Sequence, residues 1–511
     1  MRKLALLTLF LAARLSAQSP LCPQIQALTQ ASQAHWGVSI TTLDGTPLCQ
    51  INAAQLFRPA SNAKLFTTIT ALALFGPQQT FPTSVMADKP PAATLQGNLT
   101  LLGDGDAYLS TRPVPYVPSN KIPPDTPAPT NPLEALADQV VATGIHHITG
   151  DIIGEDTVWP SEPYPSDWSI DDMQWGYGAP VSALSVDDNK LTLTITPGAT
   201  TVDLPLAVLS PPTTHFRFDI EASTVAAGKP TALRLEQRPG SDLIHIYGTI
   251  ALGASYSDDI AIDDPAQYAA ERFKSLLEAR GVIIDGQPRA EHRPSYTTES
   301  FEKQTDTPLQ FQPTPRQPSL IATNKPGMPP IIAMHLSPSL IDDVTITLKV
   351  SQNLHAELLL HLLGQQFAGE GSTAQGARVV RQFLMSAASL QKTDFLLYDG
   401  SGLSGHDLIT PRSLTQLLVF AARQPWFPSF KAALPLGGVD GSLTSRFTGP
   451  LKGRVFAKTG TLGESRALSG FLTASSGRTL VFSILVDNHP PNSTADRTLM
   501  DHIVELTAAA N

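Results

Sequence analysis

The pattern of apolar and polar residues near the N terminus changes from a helical period to a strand period. Residues 23–35 are amphipathic with helical spacing, residues 38–42 form a strand-like run, and Asp44-Gly45 marks a hairpin turn after it. Residues 65–74 are almost wholly apolar. This run predicts a helix that begins around Ser61 and is buried on most of its sides.

The middle of the chain has a different texture, with short apolar runs between proline-dense segments. Residues 99–102 and 191–195 have the length and composition of strands, whereas residues 113–132 and 313–330 are rich in proline. This pattern predicts a β-rich region with long irregular loops.

The last third of the chain predicts helices followed by three strands and a terminal helix. The strands are expected at 454–458, 467–473 and 479–486, and the helix at 492–510. The order of elements indicates an α+β fold, an antiparallel sheet with flanking helices in which the first and last parts of the chain meet.

The length of 511 residues corresponds to two to four domains. We expect a discontinuous catalytic domain formed by residues 18–85 and 331–511. The inserted region, residues 86–330, would form one or two nested β-rich domains. No internal repeat is detectable.

The first residues have the composition of an export signal. Arg2 and Lys3 precede the apolar run 4–13, and small residues end at Ala17. Ten apolar residues are too few to span a bilayer, and no later segment predicts an integral membrane span. We therefore expect a signal peptide over residues 1–17 and a soluble protein in the periplasm or another extracytoplasmic space.

The two cysteines, Cys22 and Cys49, both follow the predicted signal. An oxidising compartment would let them form a disulfide. The alternative is a pair of buried free thiols.

Charge and composition restrict the classes of partner. Lys and Arg total 35 and Asp and Glu total 45, which gives a formal net charge of −10 without any run of basic residues. Nucleic-acid binding needs a clustered basic surface, so small molecules, peptides or glycans are the expected partners. The chain lacks H-E-x-x-H, C-x-x-C and Walker sequences. No metal or cofactor is expected, and the pair His146-His147 fits a loop better than a metal site.

A serine-lysine motif, S-x-x-K, begins at Ser61, Ser300 and Ser389. Only Ser61 stands at the start of a long apolar helix, whereas Ser300 lies in a charged, threonine-rich linker and Ser389 lies near a helix end. The context therefore selects Ser61 and, with it, Lys64. Two further motifs follow once each, namely S-x-N at Ser351-Gln352-Asn353 and K-T-G at Lys458-Thr459-Gly460, followed by Thr461.

These residue types suit an acyl-transfer reaction. Residues i and i+3 of a helix share a face, so the Lys64 amine can reach the Ser61 hydroxyl. A lysine serves as a base when burial or a neighbouring cation such as Lys458 lowers its pKa. Ser351 could relay a proton, and Asn353 could hold a substrate amide and orient Lys64.

The third motif predicts a strand that binds substrate. Its glycine lets a substrate backbone approach, and Lys458, Thr459 and Thr461 can bind a carboxylate. Taken singly, each motif is better explained as a helix cap, a solvated lysine or an edge-strand charge. Their joint order and context favour an active site.

The chain resembles the low-molecular-mass class C penicillin-binding proteins, which are D-alanyl-D-alanine carboxypeptidases and endopeptidases with a large insertion after S-x-x-K. The similarity covers nearly the whole mature chain. Besides the three motifs, it includes residues 178–183, 398–404, 440–443 and 457–462. The long separation of the first two motifs is similar to the inserted-domain arrangement and not to the short spacing of ordinary β-lactamases.

This resemblance implies a penicillin-recognising transpeptidase/β-lactamase-like domain with a large β-rich insertion. It also implies Ser61 as the acylated nucleophile, Lys64 as the general base and Ser351 as the proton relay, with the terminal carboxylate bound by Lys458, Thr459 and Thr461. Gln352 departs from the family's usual Asp or small polar residue, at a variable position.

The family's insertion contributes an acidic and an aromatic residue near the peptide-stem side chain. The similar stretch here contains Glu155, Asp156 and Trp159. The alternative is that they are ordinary surface and core residues.

The sequence thus predicts a serine acyl-enzyme hydrolase that cleaves D-alanyl peptide bonds in peptidoglycan, as a carboxypeptidase, an endopeptidase or both. Peptidoglycan stem peptides and β-lactam antibiotics are the expected partners. A serine β-lactamase is the alternative within enzymes. A catalytically silent wall-binding or antibiotic-sensing protein is the alternative of another class.

Overall fold

The structure is a computed structural model that describes residues 21–123, 125–127, 129–311 and 329–511. The predicted signal peptide over residues 1–17 lies outside the described residues, as do residues 313–328 of the second proline-rich segment.

Helices of the described chain range from one and a half to four and a half turns. In chain order they are α1 (Leu21–Gln30), α2 (Ala63–Phe75), α3 (Pro132–Ala142), α4 (Pro265–Glu278), α5 (Phe301–Asp306), α6 (Leu340–Lys349), α7 (Asn353–Ala368), α8 (Thr373–Ala387), α9 (Pro411–Ala422), α10 (Phe427–Ala433) and α11 (Ala495–Ala510).

The strands of the described chain have two to nine residues. In chain order they are β1 (His35–Thr42), β2 (Pro47–Ile51), β3 (Pro82–Ala87), β4 (Thr94–Leu95), β5 (Leu99–Gly103), β6 (Asp106–Leu109), β7 (His147–Ile148), β8 (Ile152–Pro160), β9 (Leu184–Val186), β10 (Lys190–Thr196), β11 (Leu206–Ser210), β12 (Arg217–Ile220), β13 (Ser223–Val225), β14 (Ala232–Gln237), β15 (Leu243–Ala251), β16 (Tyr256–Ala261), β17 (Ile283–Ile284), β18 (Pro288–Arg293), β19 (Ile331–Leu336), β20 (Phe395–Leu396), β21 (Leu408–Ile409), β22 (Val455–Leu462), β23 (Ser465–Thr473) and β24 (Thr479–Asp487).

Strands from both ends of the chain build one five-stranded antiparallel sheet in the order β2-β1-β24-β23-β22. Helices α1 and α11 cover one face, where Ile25 and Ile503 share a buried cluster with Val38 and Ile484. Helix α9 and its neighbours cover the other face. The predicted α+β class, with first and last segments in one layer, is confirmed.

The apolar helix predicted to begin around Ser61 begins one short turn later. Residues Ala60–Asn62 form a 3₁₀ turn, and α2 continues from Ala63. Every residue from Ala63 to Leu72 is buried. Because a helix that is apolar all round needs cover on all sides, α2 lies inside a layer formed with α6, α7 and α8.

The β-rich insertion is built around a second sheet in the order β18-β8-β5-β3-β19. Its apolar side chains share one buried cluster with those of α3 and α4. Strands β3 and β19 pair with each other, so this sheet extends beyond the expected limits at residues 86 and 330. The physical reason is that the chain enters and leaves the insertion through two neighbouring antiparallel strands.

Cys22 of α1 and Cys49 of β2 form a disulfide with a Cα–Cα distance of 5.0 Å. The predicted pairing is therefore present, and it attaches the first helix to the edge of the main sheet. Within the described ranges, no helix has the length and hydropathy that crossing a membrane requires.

Candidate active site

The serine and lysine of the first motif lie side by side. Ser61 is the middle residue of the 3₁₀ turn, and Lys64 belongs to the first turn of α2. The Nζ of Lys64 donates a hydrogen bond to the Oγ of Ser61 at 3.0 Å. Lys64 is fully buried, whereas Ser61 keeps part of its surface exposed. The amine therefore meets the hydroxyl from the protein interior.

Two further acceptors surround the Lys64 amine. Its Nζ donates to Oδ1 of Asn353 at 2.6 Å and to the backbone carbonyl of Ser401 at 2.7 Å. The three acceptors match the three protons of an ammonium group. The position of the amine is thus fixed by three separate parts of the chain.

Burial lowers the pKa of Lys64 to about 8. The carboxyls of Asp399, Glu357 and Asp407 limit this fall because their charges favour the ammonium form. A pKa near 8 leaves a substantial fraction of neutral amine at physiological pH, which a general base requires.

The second and third motifs meet at a serine-lysine contact. Lys458 donates from its Nζ to the Oγ of Ser351 at 2.8 Å and to the carbonyl of Thr459 at 2.6 Å. Burial lowers the pKa of Lys458 well below its usual value, and the positive charge of Lys64 adds to this effect. Ser351 has a positive φ of 62°, so its hydroxyl is presented from a left-handed backbone.

The K-T-G motif lies in the interior of β22, at the outer edge of the main sheet. Thr461 is exposed at the edge, whereas Thr459 is half-buried and its hydroxyl lies 2.7 Å from the Ser442 hydroxyl in a hydrogen bond. A Cβ on Gly460 would lie 2.8 Å from the Pro59 carbonyl oxygen and 3.1 Å from Cβ of Ala60. Glycine is therefore required because the strand passes directly beside the turn that carries the serine.

Asn353 connects the Lys64 amine with the inserted region. Its Nδ2 donates to the backbone carbonyl of Tyr177 at 2.8 Å while its Oδ1 accepts from Lys64. Gln352 caps α7 by accepting from the Leu354 N–H at 3.3 Å and donates to Asp188 at 3.0 Å. The unusual Gln352 is thus a structural contact between α7 and the insertion.

A cavity of about 320 Å³ opens beside Ser351, Gln352 and Asn353. Its opposite wall comes from the insertion and includes Arg112, Tyr177, Lys190 and Asp259. Sequence reasoning missed these residues. Only Tyr177 had a signal, because it directly precedes the segment 178–183 that shares the family resemblance.

Glu155, Asp156 and Trp159, the predicted side-chain recognition residues, make their contacts elsewhere. Trp159 is buried, and its indole donates to Gln365 Oε1 at 3.1 Å. Asp156 accepts from the Ser182 hydroxyl at 2.8 Å, and Glu155 accepts from the Thr157 hydroxyl at 2.5 Å. These contacts link β8 to the segment before β9 and to α7, and side-chain recognition by the three residues stays a prediction.

The other two S-x-x-K matches have structural contacts. The Ser300 hydroxyl accepts from the Lys303 N–H at 3.3 Å as the cap of α5, and Lys303 pairs with Glu299 at 2.5 Å. Lys392, the lysine of the motif that begins at Ser389, pairs with Asp306 at 2.8 Å. Neither lysine thus faces its own serine in the way that Lys64 does.

Known proteins resemble this chain over most of its length. The family model described as D-Ala-D-Ala carboxypeptidase 3 (S13) matches residues 23–311 and 316–510. A D-alanyl-D-alanine carboxypeptidase of Actinomadura sp. is 30% identical over 470 residues, which cover 88% of this chain and 77% of the relative. A penicillin-sensitive carboxypeptidase A of Dictyostelium discoideum is 25% identical over 489 residues, covering 90% of this chain and 84% of the relative.

A solved structure supports the fold independently. The crystal structure of penicillin binding protein 4 from Haemophilus influenzae matches with a TM-score of 0.75 at 20% identity. The match covers 94% of this chain and 97% of that structure. The catalytic sheet and the insertion therefore occur together in a known architecture.

Proposed function

The chain belongs to the D-Ala-D-Ala carboxypeptidase 3 (S13) family, and on this premise we propose that it hydrolyses D-alanyl peptide bonds in peptidoglycan through an acyl-enzyme at Ser61. The observation that carries the proposal is the 3.0 Å hydrogen bond between Lys64 Nζ and Ser61 Oγ, with Lys458 and Ser351 as a second serine-lysine pair.

Acylation begins when neutral Lys64 takes the proton of the Ser61 hydroxyl. The Oγ then attacks the carbonyl carbon of the penultimate D-alanine. The oxyanion forms near the N-terminal end of α2, where the helix dipole favours negative charge. The tetrahedral intermediate expels the terminal D-alanine, whose amine receives a proton through Ser351.

Deacylation repeats these roles with water. Lys64 accepts a proton from the water that attacks the ester, and Ser61 regains its hydrogen when the ester bond breaks. During acylation, the edge of β22 holds the substrate backbone, and Lys458, Thr459 and Thr461 bind the carboxylate of the terminal D-alanine until that residue leaves.

The cavity between the second motif and the insertion gives the stem peptide a place to bind. Its wall carries both cationic and anionic side chains, including Arg112, Lys190 and Asp259. A mixed-charge wall suits a peptide with both amino and carboxyl groups. We infer that cross-linked peptides enter as well as linear ones, which adds endopeptidase to carboxypeptidase activity.

β-Lactams should acylate the same serine, because they carry a carboxylate and an acylating carbonyl in comparable positions. Export to an extracytoplasmic compartment is the proposed location, supported by the Cys22–Cys49 disulfide. A serine β-lactamase differs in turning the penicillin acyl-enzyme over rapidly, so the lifetime of that adduct distinguishes the two activities.

The test is covalent labelling with a fluorescent penicillin, followed by digestion and mass spectrometry. The label should attach to the peptide that contains Ser61, and Ser61→Ala should abolish labelling and release of D-alanine without a change in thermal unfolding. Ser300→Ala and Ser389→Ala are matched controls that should label normally. Attachment of the label at Ser300 or Ser389 would refute the assignment.

A further inference from the structure

A buried carboxylate, Asp399, organises the turn that forms one wall of the Lys64 pocket. Its two oxygens accept from the backbone N–H groups of Ser401 at 3.1 Å, Gly402 at 2.6 Å and Ser404 at 2.8 Å. They also accept from the Ser401 hydroxyl at 3.2 Å. The turn that these bonds define, residues 399–404, presents the Ser401 carbonyl to the Lys64 amine.

The turn 399–404 also contacts the segment that carries the nucleophile. Gly402 has a φ of 81°, and a Cβ on it would lie 1.8 Å from the carbonyl oxygen of Ala60. The backbone of the turn therefore packs directly against the residue before Ser61. A displacement of the turn would therefore move both the Ser61 hydroxyl and the Lys64 amine.

The inserted region holds Asp399 from the opposite side. The buried indole of Trp168 donates from Nε1 to Asp399 Oδ2 at 2.9 Å. The Ser404 hydroxyl donates to the backbone carbonyl of Ser166 at 3.0 Å. Two hydrogen bonds thus join one short segment of the insertion to the turn.

We propose that Asp399 and Trp168 are positioning residues for the general base, which hold the Ser401 carbonyl against Lys64 and so make the insertion a part of nucleophile activation. This inference rests on the proposed roles of Ser61 and Lys64. Neither residue touches the reacting atoms; both act through the turn 399–404.

Charge gives Asp399 a second effect on the amine. The groups that face Lys64 are the carboxyls of Asp399, Glu357 and Asp407 and the amine of Lys458. Burial and, after it, the charge of Asp399 raise the pKa of Glu357 to about 8 and the pKa of Asp407 well above its usual value. Asp399 is also the largest of the three carboxylate influences that raise the pKa of Lys64.

The first experiment compares Trp168→Phe with Trp36→Phe. Trp168→Phe keeps a ring but removes the N–H that reaches Asp399. Trp36 is also buried, and its indole nitrogen has no hydrogen-bond partner in the described part of the chain. Trp36→Phe therefore makes the same exchange of rings without the loss of a hydrogen bond. Penicillin acylation is resolved by stopped flow into a binding constant and a limiting rate constant.

The limiting acylation rate of Trp168→Phe should fall about tenfold, as expected for loss of one hydrogen bond to a charged group. The binding constant for penicillin should stay within about twofold of the wild-type value. Trp36→Phe should keep the wild-type rate. Equal limiting rates in the two variants would overturn the proposal.

The second experiment follows the acylation rate against pH in Asp399→Asn and in the double variant Asp399→Asn/Glu357→Gln. The double variant is needed because Glu357 can ionise once the Asp399 charge is gone, and its negative charge would then replace the one that was removed. Removing negative charge lowers the pKa of Lys64, so the rising limb of the profile should move to lower pH, further in the double variant. A midpoint equal to that of wild type in the double variant would refute the electrostatic role.

Failure of this inference and failure of the proposed function give different results. If Ser61 is not the nucleophile, the wild-type protein does not carry the penicillin label at Ser61. If Ser61 is labelled and both Trp168→Phe and the double variant behave as wild type, only the positioning role is wrong. Should Asp399→Asn not fold, Trp168→Phe still decides the question.

Discussion

The two lysines of the site, at the scale of single residues, differ in what their amines can reach. Lys64 is occupied by three protein acceptors, whereas Lys458 contacts the Ser351 hydroxyl and a backbone carbonyl. Lys458 lies on the edge strand β22 next to the threonine hydroxyls, so it can serve a substrate carboxylate. These contacts support the proposed roles of Lys64 in proton transfer and of Lys458 in binding.

Replacing Lys458 should change selectivity between an acid and an amide. Wild type should cleave a peptide with a free C-terminal carboxylate about ten to a hundred times more efficiently than its amidated form, because a charge-assisted contact is worth roughly 1.5–3 kcal/mol. Lys458→Ala should lose most of this preference in kcat/KM. The exposed Lys452→Ala is the control and should retain it. A Lys458→Ala enzyme with the wild-type ratio would show that the carboxylate binds elsewhere.

The site also depends, at the scale of elements, on how closely neighbouring turns pack. The turn 399–404 fits against the 3₁₀ turn before α2 only because Gly402 lacks a Cβ and adopts a left-handed conformation. This is a packing constraint between two elements rather than a local turn requirement.

Gly402→Ala should therefore impair acylation by at least about a hundredfold, through displacement of the Ser401 carbonyl and of Ser61, together with a lower unfolding temperature. Gly449→Ala is the control, since a Cβ there meets no atom within 4 Å and its backbone φ is not left-handed. The measurement is the second-order rate of penicillin acylation. Wild-type rates in Gly402→Ala would show that the turn can move without consequence for the site.

The disulfide is a second element-scale feature, since it ties α1 to β2. Closing a loop of 27 residues should stabilise the folded protein by about 3 kcal/mol in the chain-entropy model. Cys22→Ser/Cys49→Ser should therefore have a lower free energy of unfolding in urea. The control is wild type with reductant, which should approach the double variant. A loss far below about 1 kcal/mol would mean that α1 is held by packing alone.

The insertion and the catalytic region, at the scale of the whole molecule, are joined by a buried ion cluster next to the site. His355 of α7 lies between Asp188 of the insertion at 3.3 Å and Asp343 of α6 at 2.6 Å. The charges and hydrogen bonds of Asp343 and Asp188 outweigh burial and raise the pKa of His355 to about 9. The imidazolium therefore links three parts of the fold.

This link predicts a loss of stability at alkaline pH. A histidine with a folded pKa near 9 and an unfolded value near 6.5 stabilises fully below pH 6.5, and the gain disappears as pH rises through 9. The amount is about 3 kcal/mol. His355→Gln should lose correspondingly less unfolding free energy than wild type between pH 6 and pH 10, measured in urea.

His361→Gln is the matched control for this prediction. His361 is also buried in α7, but burial lowers its pKa to about 4, so it is uncharged throughout this range. Its replacement should leave the pH slope of the unfolding free energy as in wild type. An equal pH slope of the unfolding free energy in wild type, His355→Gln and His361→Gln would mean that protonation of His355 does not stabilise the fold.

Much of the active site was predictable because its motifs are local. A serine and a lysine three residues apart on a helix share a face, and a K-T-G segment among alternating apolar residues is a strand, whatever the rest of the chain does. The signal for α2 was equally local, since most of its ten consecutive buried residues are apolar. The family resemblance supplied the long-range order of these motifs.

Only the tertiary structure decided which distant residues complete the site. Asp399, Trp168 and Tyr177 reach Lys64 through backbone carbonyls and side-chain hydrogen bonds between residues at least 176 positions apart in the chain. Glu155 and Trp159, by contrast, had a suggestive sequence context, and the structure shows their hydrogen bonds to Thr157 and to Gln365 of α7. Sequence periodicity reports which face of an element is apolar, whereas hydrogen bonds between segments far apart in the chain depend on how whole elements dock, and no local pattern encodes that.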